Sequence, residues 1–209
     1  MRRLLTLGLV LVALALLYVV VDLVAKGVVE GRVADEFEAE PRLEVDSASF
    51  AIDSFPFLAR LAAFGEVSAT LELEGVRQQG VTLDRFTLEV DGLVLDRGSA
   101  FGGEVRADDL DRAVASVELG EGTISDLVGV PVAIGGGTVS VDGTTVGTSM
   151  AGSELVLTGE GVGSLTVPLE LGRFLPCDPT AEVLDGLVRL SCETGDLPPI
   201  VNRVLGRVT

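Results

Sequence analysis

The chain opens with Met1-Arg2-Arg3 and then stays free of charge from Leu4 to Val21. As a helix this run rises about 27 Å, close to the hydrocarbon thickness of a bilayer. Uniform apolarity over five turns distinguishes it from the one-sided helices of soluble cores. From Val21 to Phe37 the pattern becomes amphipathic. Val21, Val24, Ala25, Val28, Val29, Val33 and Phe37 recur at intervals of three and four, with Asp22, Lys26 and Glu30 expected on the opposite side. Pro41 ends the helical pattern.

Beyond it the period falls to two. Val67, Ala69, Leu71 and Leu73 alternate with Ser68, Thr70, Glu72 and Glu74, which predicts a half-buried strand. Val81 and Leu83 continue on odd positions, but Phe86, Leu88 and Val90 fall on even ones, so a bulge or bend is expected near Asp84-Arg85. Alternation returns at Leu93 and Leu95, in Val130 to Ile134, at Val139 and Val141, at Leu155 and Leu157, in Leu165 to Leu171, and in Val188 to Cys192. Ala113 to Leu119 suits a strand, and Thr123 to Val128 a helical turn capped by Thr123 or Ser125. Gly135-Gly136-Gly137 reads as a hairpin connection. Two further short helices are predicted, one near 57–64 closed by Gly65 and one near 198–205 opened by Pro198-Pro199. The expected fold is α+β and mostly antiparallel β. A long curved antiparallel sheet, a meander, is wrapped around the N-terminal amphipathic helix.

The arginines before the apolar run and Asp22 after it leave the N-terminus in the cytoplasm and send the rest across the membrane. Residues 1–21 are therefore a signal sequence or an uncleaved transmembrane anchor, and 22–209 a single domain. Tyr18-Val19-Val20-Val21 offers no small-residue cleavage exit, which favours the anchor. The expected location is the cell envelope, on the periplasmic side of the plasma membrane, anchored or secreted. The two cysteines, Cys177 and Cys192, are expected to form a disulfide, as an exported chain allows.

Charge and composition narrow the chemistry. A net charge of -17 spread along the chain excludes a sizeable nucleic-acid groove, and it would repel an anionic membrane surface. Contact with lipid must come from apolar burial. Histidine is absent, which removes Ser-His and Cys-His catalysis and any His-ligated metal. Asp108, Asp109 and Asp111 lack the glycine and distal glutamate of a calcium loop and read as a solvated turn. Glu72, Glu74, Asp91 and Glu170 fall on the polar phase of strands, so a glycosidase-type acid pair is not expected. No enzyme, metal or cofactor is expected. A one-sided sheet wrapped on a helix, rich in Val and Gly and poor in bulky fillers, can leave a slot for acyl chains.

The order of segments also has a familiar form. An exported apolar run leads into an amphipathic Val-Ala-Asp-rich helix. Ile52-Asp53-Ser54-Phe55-Pro56-Phe57-Leu58 follows, then Gly65, then Gly80-Val81-Thr82-Leu83. From about Val21 to Leu205 this resembles the LmeA-type phospholipid-binding family of actinobacterial cell envelopes. The resemblance implies a tubular lipid-binding fold, akin to half of the bactericidal/permeability-increasing protein, holding phospholipid within a curved sheet. It also implies a part in envelope lipid or lipoglycan assembly, alongside possible glycan-assembly proteins. The strong acidity and the anchor depart from that pattern. Candidate lipid contacts are Val24, Val28, Phe37, Phe50, Phe55, Phe57, Leu58, Leu61, Phe64, Ile200 and Val204. The expectation is a non-enzymatic phospholipid-binding or lipid-transfer protein. Its rival is a membrane-anchored interaction or scaffold protein that docks a partner through an apolar helix face.

Overall fold

The computed structural model describes residues 2–63, 65–78, 81–95, 107–161 and 163–205. Helix α1 (Arg2–Glu38) runs unbroken from the apolar segment into the amphipathic one. It rises about 55 Å, far beyond what the folded body can cover. From Gly8 onward it is long and apolar enough to cross a membrane, and almost none of its most apolar stretch is buried. That exposure separates it from a soluble core helix, and it is compatible with export or membrane anchoring.

Twelve strands follow among the described residues, in two antiparallel sheets. The first sheet comprises β1 (Ser47–Ile52), β2 (Glu66–Gln78), β3 (Val81–Leu95), β4 (Ala107–Asp109), β5 (Arg112–Gly120), β11 (Thr180–Leu184) and β12 (Leu187–Thr194). Its order is β1-β2-β3-β5-β12-β11, with β4 against β3. The second comprises β6 (Val132–Gly135), β7 (Thr138–Val141), β8 (Thr144–Ala151), β9 (Glu154–Gly159) and β10 (Gly163–Pro168), in the order β10-β9-β8-β7-β6. The antiparallel α+β class agrees with the alternation in the sequence. The single meander does not, because β12 returns to pair with β5 across the whole second sheet. Period-two patterning assigns faces, whereas partner choice depends on contacts between residues far apart in sequence.

Local predictions fare better. The burial phase of β3 changes between Leu83 and Phe86, as its sequence requires, and β2 changes phase in step between Leu73 and Val76. Gly75 makes the bend possible at a φ of 59°, a conformation that L side chains rarely adopt, and a Cβ there would collide with the Asp46 carboxylate. Pairing continues through the bend, from Glu74↔Arg85 to Val76↔Leu83. The register shift lies elsewhere, between Val67 and Ala69. Gly136 and Gly137, at φ 59° and 73°, form the two-residue turn joining β6 to β7. In the predicted run from Leu165 to Leu171 the strand stops at Pro168, and Leu171–Arg173 is a 3-10 turn.

Helices α2 (Phe57–Ala63) and α4 (Pro199–Leu205) occupy the predicted places, and Gly65 closes α2 at a φ of 73°. Helix α3 (Glu121–Val128) is two turns long, with neither Thr123 nor Ser125 at its N-cap. Its start is held from β3 instead. Asp84 accepts the Gly120 N–H at 2.6 Å and the Thr123 hydroxyl at 2.8 Å. Ser125 Oγ donates to the Glu121 carbonyl and accepts the Val132 N–H, which joins α3 to β6.

Between the sheets, Phe86 of β3 packs on Phe174, ring centres 5.4 Å apart and planes tilted by 59°. Cys177 and Cys192 are bonded, with Cα atoms 5.9 Å apart, which fastens the segment before β11 to β12.

Candidate functional site

Helix α1 lies along β1, the edge strand of the first sheet. Such a strand leaves alternate N–H groups without a neighbouring strand to receive them. Here the helix supplies the acceptors. Glu38 accepts the Ala48 N–H at 3.3 Å, and Glu30 accepts the Ile52 N–H at 2.7 Å. Lys26 adds an ion pair to Glu30 at 3.6 Å. The two carboxylates stand about 12 Å apart along the helix, which matches four residues of strand. The α1/β1 seam is thus closed by side chains rather than by a strand ladder.

One turn above Lys26 towards the N-terminus stands Asp22, wholly buried at 0% exposure. Its Oδ2 accepts the Phe57 N–H at 3.0 Å and its Oδ1 the Leu58 N–H at 2.7 Å. These are among the first N–H groups of α2, which have no partner inside the helix. The amphipathic reading of α1 therefore had its faces reversed at this end. Asp22 and Glu30 face the sheet and α2, while Val21, Val24 and Val28 are exposed on the outer side. Periodicity registers hydrophobicity, and it misassigns a face whose acids are needed as backbone acceptors.

Below this polar clasp the inner face is apolar, and it encloses a cavity of about 40 Å3. Val29, Val33 and Phe37 of α1 form one wall, and Phe50 and Ile52 of β1 a second. Val67, Ala69 and Leu71 of β2, with Leu88, Val90 and Leu93 of β3, form the floor. Phe57 closes the end nearest α2, and Leu197 and Val201 cover the side facing α4. A water needs roughly 10–15 Å3, so the volume is sufficient, but it also needs polar partners, and this lining supplies no polar side chain. The cavity suits hydrocarbon. Only Val29 and Phe50 among its lining are incompletely buried, so it reaches the surface along the α1/β1 seam.

The candidate contacts divide on this geometry. Phe37, Phe50 and Phe57 line the cavity. Leu61, Ile200 and Val204 are buried in the surrounding core, and Leu58 packs half-buried against it. Val24, Val28 and Phe55 are exposed and lie outside the cavity. Phe64 lies outside the described residues. The strand residues of the floor were missing from the candidates, although their alternation marked them as inward-facing. Leu197 and Val201 carried a weaker signal, an apolar turn beside Pro198-Pro199. Among the described residues no group of three or more Cys, Asp or Glu side chains could hold a metal ion.

Comparison with curated proteins finds no match, and comparison with solved structures finds none either. A family model described as LmeA-like phospholipid-binding matches residues 20–207, nearly all of the chain beyond the apolar run, and the protein therefore belongs to that family.

Proposed function

We propose that this is a non-enzymatic phospholipid-binding protein of the cell envelope, held at the outer side of the plasma membrane by α1, and that it transfers lipid in support of envelope lipid or lipoglycan assembly. The observation that carries this reading is the cavity between α1 and β1–β3, lined throughout by aliphatic and aromatic side chains. Family membership supports the ligand class. The disulfide and the exposed apolar helix support the location.

At about 40 Å3 the cavity is a starting point for an acyl chain rather than a finished slot. The α1/β1 seam is where the walls part. Separating it exposes two carboxylates and two N–H groups to water, which can solvate all four, whereas opening a β ladder breaks a full row of bonds. The acyl chain enters the seam and the headgroup stays at the acidic, wet rim.

Native mass spectrometry with lipid extraction, on protein taken from its own envelope, tests the binding. Phospholipid at a defined ratio is the expected result. Delipidated protein that takes up none from vesicles would overturn the proposal. The rival scaffold reading draws on the exposed Val24 and Val28. It gains if affinity capture recovers one protein and no lipid, and if Val28→Lys abolishes that capture.

A further inference from the structure

The uncharged surface of α1 does not end at its first carboxylate. Asp22 is wholly buried, because its two oxygens receive the Phe57 and Leu58 N–H groups. The next two residues, Leu23 and Val24, are 53% and 60% exposed. The helix therefore offers its surroundings no charge until Lys26. Its uncharged run, Leu4 to Val21 by sequence, extends in effect to Ala25 and rises about 33 Å, slightly more than the hydrocarbon of a typical bilayer. The boundary between hydrocarbon and water then falls past Asp22, near the point where Lys26 can reach headgroup level.

That placement brings α2 to the membrane, because Asp22 binds its first turn. Phe55 is two residues before Phe57, hence within about 7 Å of chain, comparable to the depth of one interfacial layer. It is 57% exposed, the one exposed phenylalanine among the described residues. Ala59, Ala62 and Ala63 beside it are exposed too, small and uncharged, with Arg60 as the single charge on α2.

We propose that residues 55–63 are a bilayer-docking surface. Phe55 inserts at the headgroup–acyl boundary of the leaflet from which α1 emerges, and the cavity closed by Phe57 stands directly over that leaflet. The inference rests on the reading that α1 crosses the membrane. It adds that α2 lies on the bilayer, instead of being carried clear of it. With a net charge of -17 the attraction is apolar, so it holds at high salt.

The chain contains no tryptophan, so each of three single variants of the full protein carries one reporter. Phe55→Trp probes the docking surface and Leu14→Trp the helix. Leu127→Trp probes α3, at the far end of the sheet, where Gly120 and Asp84 meet. Each is reconstituted in phosphatidylcholine vesicles with and without lipids brominated at positions spread along the whole acyl chain. The expected result is blue-shifted emission and loss of most of it on bromination for Phe55→Trp and Leu14→Trp, unchanged in high salt, and no loss for Leu127→Trp. Quenching of Leu14→Trp without Phe55→Trp would overturn the docking surface and leave the anchor standing. Quenching of neither would overturn both.

Discussion

Asp22 accepts the backbone N–H of Leu58 at 2.7 Å across 36 positions of sequence, and the N–H of Phe57 at 3.0 Å. The first acid after the apolar run thus serves as the cap that the sequence of α2 lacks, since Phe55 and Pro56 before it have no side-chain acceptor. The same contact ties the apolar helix to the wall of the cavity through Phe57.

Replacing Asp22 by alanine leaves two backbone donors without their partner in a buried place, at a cost of about 1–3 kcal/mol. Asp22→Asn retains one acceptor oxygen and is expected to lose less. Hydrogen exchange checks the assignment. The amides of Phe57 and Leu58 should lose protection in the alanine variant while those of β12 keep theirs; equal loss in both would mean global unfolding instead of a lost cap.

The cavity predicts opposite effects on stability and on lipid. Ala69 lines the floor, and Ala69→Leu places three additional carbons in a space of about 40 Å3. At about 24 cal/mol per Å3, filling it is worth at most about 1 kcal/mol, so the unfolding midpoint should hold or rise. Phospholipid uptake from vesicles should fall. Lower uptake together with a lower midpoint would indicate overpacking and remove the support for this cavity as the site.

The Cys177–Cys192 bond closes a loop of 15 residues between the turn before β11 and strand β12. On the chain-entropy model it contributes about 3 kcal/mol, and Cys192→Ser should lower the denaturant midpoint accordingly. Unreduced protein, even when unfolded, should take up no thiol reagent, and reduced protein should take up two equivalents, one for each cysteine. Labelling without reduction would count against an oxidising compartment as well as the bond.

Much of the architecture was legible along the chain. The apolar run, the strand phases, the Gly136-Gly137 turn and the brackets of α2 and α4 are local features, set by periods of 3.6 and 2 and by glycine and proline. The phase change at Leu83 and Phe86 even located the bend, because burial on one face forces the backbone to compensate. The pairing of the cysteines needed no geometry, as there are only two.

Other features depended on residues meeting across long stretches of chain. The return of β12 to β5, the separation into two sheets and the closure of the edge strand by Glu30 and Glu38 are of this kind. So is the burial of Asp22, which turned an acid inward at one end of the amphipathic segment while Val33 and Phe37 kept the buried face that periodicity assigned to them. An acid in a sequence has no stated partner, and its preference for water holds until a backbone N–H is brought to it. For this protein the sequence by itself determined which segments are apolar and with what period. The tertiary structure decided which polar groups those segments could bury, because a buried acceptor is tolerated only where a distant donor arrives.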